Sequence, residues 1–573
     1  MSHQLLLVAG AALAIMIAAS VFSRRTGVAA PLLLVGLGIA VSYVPASPVI
    51  RPDPELVLTG VLPLLLYSSA VNLPVIDVRR NLGLITWLSV VMVVVQAVVI
   101  GAAVHLVFPD VSLALGIALG AVVSPTDAVA ATAVGRRLGL PPRVMTVLEG
   151  ESLVNDASAL VVLRTAVAVL ALTGEFSLGA TAVEFGWAVL GAGLIGGVVG
   201  VLTVRLRQRL DDPVLNTTIS FAVPFLAFLP AESLEASGVL AVVVAGLVTG
   251  AQGSHRFSAE DRQTQGTTWT TVSFVLESAV FLAMGYQLPQ LVDDVRGETT
   301  VGAMTGLVVL VLGLLVVLRF AGLAWPVLQG RRGGRREERR RLRDRFDAFE
   351  EHLDALSPET ERQEKRVSWA RHRLARSRAD VAFEEREPLT GRGLLVIAWA
   401  GMRGVVTVAA VQTIPDDVPQ RATIVLAAFL VALVTLVAFG LTLPAVIRRT
   451  GLEAVSAEDQ RDAVHALLRQ VGTTALETVG PPESLEVDGD RIDPQVAATM
   501  KERILPRLVA GVRERREAPA GVIEQSLSVQ RIYLDAMRDA LAAERRIGAY
   551  PSATYRRVES MLDTMEQRLQ PGL

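Results

Sequence analysis

Two short stretches place acids and a proline inside segments that are otherwise apolar. The first, SPTDAVAATAV at 124–134, contains Pro125 and Asp127, and the second, EGESLVNDASAL at 149–160, contains Asp156. A charge within hydrocarbon is costly, and a proline removes a backbone amide donor, so both stretches are candidate functional sites. Two acids beside an interrupted helix suggest the binding of a cation.

The second stretch gathers its polar residues on one side of a helix. Positions i, i+1, i+4 and i+5 share one narrow helical sector. The residues at these positions are Glu151, Ser152, Asn155 and Asp156.

The first stretch supplies the remaining ligands of the predicted site. Pro125 blocks regular helix and frees backbone carbonyls near Thr126. A hard monovalent cation prefers several oxygen ligands, and carboxylates, a hydroxyl and main-chain carbonyls are all present. We therefore expect the two stretches to form one cation site, in which the broken helix that carries Asp127 faces a second acid.

Further charges lie at a similar depth in other apolar segments. Counting about 1.5 Å per residue from the edge of each segment places six ionisable residues roughly 10–18 Å deep, on five segments. Four acids and two arginines leave this chamber net negative, which attracts cations. The six residues are Asp127, Glu151, Asp156, Glu277, Arg319 and Arg403.

The arginines suggest a set of ion pairs. Arg403 is permanently charged, so it cannot release a transported proton, and we expect it to offset Glu151. Glu277 and Arg319 either pair with each other or have a gating role. Arg164 lies farther outward and either screens the chamber or pairs with Glu277.

Composition sets the class of protein. The chain has 573 residues, of which 51% are hydrophobic and 19% charged, a combination typical of a polytopic helical membrane protein. The absence of cysteine excludes disulfides and thiolate metal sites. No cofactor is expected.

Apolar windows predict an all-α fold with about thirteen transmembrane helices. Arginines cluster in alternate loops, so the positive-inside rule places the N-terminus outside and the C-terminus in the cytoplasm of a cell-membrane protein. The predicted spans are 4–22, 28–44, 55–73, 83–107, 111–134, 144–172, 181–204, 214–230, 236–250, 267–288, 301–328, 392–413 and 421–447.

Symmetry connects the two halves of the predicted membrane domain. If the halves are inverted repeats, the fifth span corresponds to the twelfth, which is interrupted by Gly401 and Gly404 around Arg403. Two broken, crossing helices in corresponding positions indicate the substrate site of a transporter.

Three domains are expected from the charge pattern. A transmembrane domain at 1–447 contains a charged helical insert at 330–390, and a cytoplasmic helical domain follows at 450–573. The insert is either a solvated spacer or a regulatory surface. The C-terminal domain contains no nucleotide-binding or metal-binding motif, so its ligand is unassigned and no nucleic-acid partner is expected.

The motifs SPTDAVA, GESLVNDASALV and GMRGVV occur in order and in the expected spans. In these motifs the chain resembles the electroneutral sodium/proton exchanger branch of the monovalent cation/proton antiporters, over roughly residues 1–447. The resemblance implies a thirteen-span homodimer in the lipid bilayer, with a dimerisation domain and a six-helix core that moves like an elevator.

The resemblance also implies roles for the matching residues. Asp156 is the acid that carries either Na+ or H+, and Asp127, Ser152 and the Thr126 carbonyl line the cation site. Glu151, Asn155 and Arg403 form the supporting network. An asparagine before the carrier aspartate resembles the one-for-one exchangers, whereas the electrogenic branch has two acids there.

Other functions are also open. Ligand types do not fix the size of the site, so the chain could prefer K+ over Na+ or Li+. An intramembrane aspartyl protease using Asp127 and Asp156 lacks the Gly-x-Gly-Asp arrangement, and a serine hydrolase at Ser152 lacks both the closing glycine of its motif and a histidine base. A passive channel needs no titratable acid. We therefore expect an antiporter rather than an enzyme.

Overall fold

The computed structural model describes most of the chain, which divides into two compact units. The described residues are 2–26, 28–44, 54–171, 178–331, 335–356, 360–403, 409–452, 457–487, 490–504 and 520–567. The first unit comprises Met1–Gly253, Thr264–Gln329 and Thr390–Leu452, and the second unit comprises Ser254–Gln263, Gly330–Leu389 and Glu453–Leu573.

Helices make up almost all of the described part of the chain. In chain order they are α1 Ser2–Thr26, α2 Ala30–Ser42, α3 Leu62–Asn72, α4 Val75–Thr86, α5 Met92–Val107, α6 Leu113–Val123, α7 Ala128–Leu138, α8 Pro142–Ala171, α9 Leu178–Arg207, α10 Pro213–Ser233, α11 Gly238–Arg256, α12 Ala259–Asp294, α13 Val301–Arg331, α14 Arg335–Asp354, α15 Glu361–Arg386, α16 Gly391–Trp399, α17 Arg421–Thr450, α18 Ala457–Val479, α19 Pro494–Thr499, α20 Ala520–Ile547 and α21 Ser552–Gln567.

The helical, polytopic architecture predicted from the sequence is confirmed. Each predicted span overlaps one helix or two consecutive helices, with π-helical segments at Leu56–Val61 and Trp87–Val91 in the third and fourth spans, while residues 404–408 of the twelfth span lie outside the described residues. Within the described residues, eight helices are long and apolar enough to cross a membrane, and further apolar helices are shorter. One detail differs from the all-α prediction: β1 (Glu486–Val487) and β2 (Asp490–Arg491) pair antiparallel in the C-terminal region.

The fifth predicted span is two short helices separated by extended backbone. α6 ends at Val123, where the Ser124 hydroxyl donates to the Gly120 carbonyl at 2.5 Å. Pro125 has no amide to continue the helix. α7 begins after Asp127 and ends at Leu138. Gly139 follows with a φ of 73°, the left-handed conformation that suits glycine just after a helix C-terminus.

Small residues bring α6 close to α5. A Cβ on Gly120 would lie 2.6 Å from the Ala97 carbonyl oxygen, so only glycine allows the two backbones to approach this closely. α6 also packs against α8. This packing fixes the position of the break after α6 beside the polar face of α8.

The second unit has its own apolar core. Leucines, valines and a tyrosine of α18, α20 and α21 are buried together, including Leu467, Leu468, Tyr555 and Leu562. α14 and α15 form a charged pair of helices, joined by the Arg371–Asp354 ion pair at 2.9 Å, and α15 packs against α20. The insert and the C-terminal region therefore belong to one body.

Candidate cation site at two unwound segments

Asp127 connects the two interruptions that the sequence predicts. Its side chain caps α7 by accepting from the Val129 amide at 2.8 Å, and its own amide donates to the Met402 carbonyl at 2.7 Å. The segments 124–127 and 400–403, neither of which is helical, therefore meet at this hydrogen bond. Among the described residues, the second carboxylate oxygen of Asp127 is buried and has no hydrogen-bond partner, which leaves it available for a cation.

Arg403 lies on the second interruption and is fully buried. α16 ends at Trp399, and Gly401 follows it on non-helical backbone, while Gly404 lies outside the described residues. The Arg403 side chain donates to the Val123 carbonyl at 2.7 Å and to the Gly401 carbonyl. The guanidinium thus occupies the C-terminal end of α6, where carbonyls lose their helical partners and a positive charge is favoured.

Glu151 forms its ion pair with Arg319 of α13. One guanidinium nitrogen of Arg319 contacts Glu151 Oε1, and the other donates to Oε2 at 3.0 Å. Arg319 also donates to the Ile397 carbonyl at 3.0 Å, near the end of α16. Both charged side chains are almost fully buried, with 1% of Glu151 and 6% of Arg319 exposed.

This arrangement corrects two expected pairings. Arg403 forms no direct ion pair with Glu151: its Nε and Nη1 donate to the Val123 and Gly401 carbonyls, and the charge of Glu151 acts on it only at longer range. Arg319 does not pair with Glu277, because its guanidinium is engaged by Glu151 and α16. The two arginines keep buried positions near the site, but each stabilises a different part of it.

Thr126 and Asn155 connect the first interruption to α8. Asn155 donates from Nδ2 to the Thr126 hydroxyl at 2.9 Å, and that hydroxyl donates to Glu151 Oε1 at 3.2 Å. The chain of hydrogen bonds continues to Arg319. Since the Thr126 hydroxyl is engaged in this way, its contribution to a cation is the backbone carbonyl, as the sequence suggests.

Asp156 lies on the same side of α8 and is buried. No described residue donates a hydrogen bond to its carboxylate, and Asp127 is close enough to repel it electrostatically. Ser152 is partly buried one turn before Asp156. Two acids near each other without a cationic side chain between them favour the binding of a proton or a metal cation.

Glu277 of α12 adds a third acid. Its carboxylate interacts electrostatically with Asp127, and no described residue donates a hydrogen bond to it. Phe281 and Met284, at i+4 and i+7, lie on the same helical face and are buried, whereas Val275 on the opposite face is exposed. Glu277 therefore points into the protein.

Arg164 is not part of this cluster. It pairs with Glu232 of α10 at 2.7 Å, and Glu232 also accepts from the Gly238 amide at 2.8 Å. Neither of the partners expected from the sequence, the chamber or Glu277, is the one that Arg164 contacts. Glu232 lies at the end of its helix, which is why counting charges inside spans did not find it.

Two supporting hydroxyls were also missed by sequence reasoning. Thr435 of α17 accepts from the Arg403 amide at 3.2 Å, and Ser89 donates to the Glu151 carbonyl at 3.1 Å. Both are buried. The available signal was a single hydroxyl residue within a long apolar run, which occurs too often in membrane helices to single out a site.

Comparisons with known proteins identify the family of this chain. A family model described as "Sodium/hydrogen exchanger, transmembrane" matches residues 10–340. A Mycobacterium tuberculosis protein named as an uncharacterized Na(+)/H(+) exchanger is 28% identical over 574 residues, which cover 98% of this chain and 96% of that protein. A Bacillus subtilis "Sodium, potassium, lithium and rubidium/H(+) antiporter" is 33% identical over 300 residues, which cover 51% of this chain and 44% of that protein.

A solved structure has a similar fold. The sodium proton antiporter MjNhaP1 from Methanocaldococcus jannaschii, determined at pH 8, matches with a TM-score of 0.55 and 16% identity. The match covers 78% of this chain and 99% of that chain. At this level of identity the likeness concerns the fold alone.

Proposed function

We propose that this chain, which belongs to the sodium/hydrogen exchanger family, exchanges Na+ or Li+ for H+ across the cell membrane, with Asp156 as the carrier. The family is one of transporters, and the chain is a multi-pass membrane protein. The N-terminus faces outside and the C-terminus faces the cytoplasm in this proposal, and two copies assemble as a homodimer.

The observation that carries the proposal is the environment of Asp156. Its carboxylate is buried and interacts electrostatically with Asp127, and no described cationic side chain forms an ion pair with it. A carboxylate in this position is stabilised by binding a cation or a proton. The two ligands neutralise the same charge, so binding of one excludes the other.

Competition for one carboxylate is sufficient for coupling. When Na+ binds to Asp156, the proton leaves to water on that side of the membrane, and on the other side the steps reverse. The carrier has the same net charge with either ligand, which gives one-for-one, electroneutral exchange. Asn155, the residue before Asp156, is neutral and adds no second titrating group there.

The surrounding residues provide ligands and hold them in place. Asp127, Ser152 and the Thr126 carbonyl complete the oxygen ligands around the cation. Asn155 and Glu151 position Thr126 through the hydrogen bonds described above. Arg403 stabilises the end of α6 beside the site.

The contacts of Arg319 support movement of the site as one body. Arg319 joins Glu151 of α8 to the last turn of α16, and the Asp127 amide joins the first interruption to Met402. The two unwound segments are therefore connected to each other and to the carrier helix. Alternating access in this proposal moves these helices together, as in an elevator.

Glu277 has an access role in the proposal. It lies on α12, a helix that contributes none of the four proposed ligands, and when ionised it interacts with Asp127. A cation that approaches the site is attracted by all three acids. Glu277 thereby raises the local concentration of cations without being the carrier.

The second candidate is K+/H+ exchange on the same site. The B. subtilis relative is named for sodium, potassium, lithium and rubidium, which supports K+ as a second candidate cation. The oxygen ligands proposed here are compatible with either ion.

Transport by the purified full-length protein in proteoliposomes tests both candidates. A proton gradient is imposed, and its collapse is followed after addition of Na+, Li+ or K+, with and without a membrane potential. We expect collapse with Na+ and Li+ at a rate that the potential does not change. Cation uptake without counter-movement of H+ would exclude antiport, and a larger rate with K+ would select the second candidate.

A further inference from the structure

The helices of the first unit pack into two groups. In one group, Gly196 of α9 lies so close to the Ala241 carbonyl of α11 that a Cβ would not fit, and Gly285 of α12 approaches the Val35 carbonyl of α2 in the same way. Hydrogen bonds from α12 connect α3 and α10 to this group. We refer to α2, α3 and α9–α12 as the scaffold group.

The other group contains the cation site. α8 packs against α6, and α6 packs against α5. Arg319 of α13 connects Glu151 of α8 to α16. We refer to α5, α6, α8, α13 and α16 as the site group. In the proposed exchange cycle these helices move together, so contacts between the site group and the scaffold group must form and break.

An ion pair connects the two groups. Arg164 of α8 donates from Nη1 to Glu232 Oε2 of α10 at 2.7 Å. The Arg164 side chain is 55% exposed and the Glu232 side chain is 26% exposed. Partly exposed charges can be solvated when they separate, whereas a buried pair such as Glu151–Arg319 cannot be broken without a large loss of stability. The Arg164–Glu232 pair is therefore suited to repeated opening.

Glu232 is held in place by the scaffold group. Its Oε1 accepts a hydrogen bond at 2.8 Å from the amide of Gly238, the first residue of α11. Close to it, Trp187 of α9 donates from its indole to the Leu234 carbonyl at 2.8 Å. The turn between α10 and α11 is thus fixed against α9. Glu232 therefore stays with the scaffold group when Arg164 moves with α8.

The pair lies on one side of the cation site. Arg164 follows Asp156 by eight residues, which is about 12 Å along α8. In the orientation proposed above, this end of α8 and the end of α10 that carries Glu232 both face outward. A second contact with the scaffold group lies toward the same end, where Gln412, which follows α16 along the chain, donates to Gln287 of α12 at 2.7 Å. These contacts hold the two groups together on the outward side.

We propose that Arg164 and Glu232 form an outer latch, which closes the site group against the scaffold group and opens each time the cation site faces outward. The proposal rests on the exchange activity and the orientation proposed above. It assigns a role to a charge pair that contributes none of the four proposed cation ligands.

A reversible cross-link tests whether the pair must separate. The chain contains no cysteine, so two introduced cysteines can be joined specifically. Arg164→Cys and Glu232→Cys are combined in the full-length protein, which is treated in proteoliposomes with a short bis-methanethiosulfonate reagent. We expect the cross-link to lower the exchange rate at least about tenfold, because a site that cannot open outward cannot complete the cycle. Cleavage of the link by dithiothreitol should restore the rate.

The two single-cysteine variants are the controls for the cross-link. Treated with the same reagent, each should keep the exchange rate that it has before treatment. Mass spectrometry verifies the link in the double variant. An unchanged exchange rate in verified, cross-linked protein would overturn the latch. Absence of a link, although the reagent labels each single cysteine, would overturn it as well, because the two side chains would then not be neighbours.

Removal of the charge tests the latch without a cross-link. Glu232→Gln keeps an acceptor for the Gly238 amide but cannot form the ion pair. We expect it to lower the KM for Na+ added on the outward side about two- to fivefold, because the outward-open state gains population. Arg164→Lys keeps the positive charge and should keep the KM of the wild type. An unchanged KM in Glu232→Gln contradicts the proposal.

Two further variants show whether the effect belongs to this pair. Arg164→Gln combined with Glu232→Gln should change the KM no more than Glu232→Gln alone, since both substitutions break the same contact. Additive effects would show that the two side chains act independently and would overturn the latch. Asp293→Asn is the matched control, because it breaks an exposed pair with Arg296 at 3.0 Å near the end of α12 and leaves the latch intact.

Failure of the latch and failure of the proposed function give different results. Formation of the cross-link reports the closeness of residues 164 and 232 without any transport. A wild type that exchanges no cation for H+ would contradict the proposed function. An active wild type whose exchange survives the cross-link would contradict the latch alone.

Discussion

Arg319 of α13 binds both carboxylate oxygens of Glu151, a residue 168 positions earlier on α8. The same guanidinium reaches the backbone of α16 at Ile397. One side chain therefore joins three helices around the candidate site. Because the pair is almost fully buried, each charge depends on the other for its stability.

Removal of one partner should destabilise the protein strongly. We expect Glu151→Gln or Arg319→Gln to lower the free energy of unfolding by about 3–5 kcal/mol, because an uncompensated charge remains buried. Thermal unfolding of the purified full-length protein in detergent measures this change.

The double variant is the control for this pair. Glu151→Gln together with Arg319→Gln should cost less than the sum of the single variants, since no lone charge remains. Additive losses would show that the two side chains do not stabilise each other.

Asp127 has a structural and a chemical role that substitution can separate. Asn and Asp cap helices about equally well, whereas Ala in place of either costs about 1 kcal/mol. Asp127→Asn should therefore keep the stability of α7 and raise the KM for Na+ about 10- to 100-fold, since a contact with a charged group is worth about 1.5–3 kcal/mol. Asp127→Ala should lose both stability and affinity.

Equal effects of these two substitutions on unfolding would contradict the capping role of Asp127. A normal KM in Asp127→Asn would remove Asp127 from the proposed ligands. Both quantities are measured on the same preparations, by thermal unfolding and by cation-dependent collapse of a proton gradient.

Asp156→Asn should abolish exchange while the protein still folds. The amide has nearly the shape of the carboxylate but can neither release a proton nor neutralise Na+. Asp293→Asn is a suitable control because Asp293 forms an exposed pair with Arg296 at the end of α12. Persistent exchange in Asp156→Asn would reject its assignment as the carrier.

Glu277→Gln should weaken transport without abolishing it. The variant removes one of three acids near the site, so we expect the KM for the cation to rise about threefold to tenfold, as loss of roughly 1 kcal/mol of attraction predicts. The maximal rate should change little. Complete loss of exchange at saturating Na+ would instead make Glu277 part of the carrier itself.

The second unit should have a distinct pH response. Burial raises the pKa of Glu559 above its ordinary value near 4.5, although Arg545 and Arg262 act in the opposite direction. The folded protein therefore binds this proton more tightly than the unfolded chain does. Its contribution to stability is full below pH 4.5 and is lost as the pH rises through the raised pKa.

Glu559→Gln tests this response. Relative to wild type, the variant should gain stability as the pH rises from about 4 to about 7, because it has no proton to lose. The midpoint of thermal unfolding is compared across this range, with Glu361→Gln as a control at an exposed helix position. Parallel curves for wild type and Glu559→Gln would contradict the effect of burial.

The sequence alone determined the spans and the position of the first interruption. Long apolar windows correspond to helices because a segment that crosses the hydrocarbon must be long enough to span it and must satisfy its own backbone hydrogen bonds. Pro125 ends a helix for a local reason, the missing amide. Glu151, Asn155 and Asp156 lie on one face of α8 because of their spacing along the helix, and that spacing can be read from a few consecutive residues.

Only the tertiary structure decided which charges meet. Arg319 and Arg403 are both buried arginines at similar depth, and depth cannot say which of them faces Glu151. Which arginine contacts Glu151 depends on which faces of α13, α16 and α8 pack against each other. The pairs Arg164–Glu232 and Arg262–Asp563 arise in the same way, because residues far apart in sequence become neighbours only through packing.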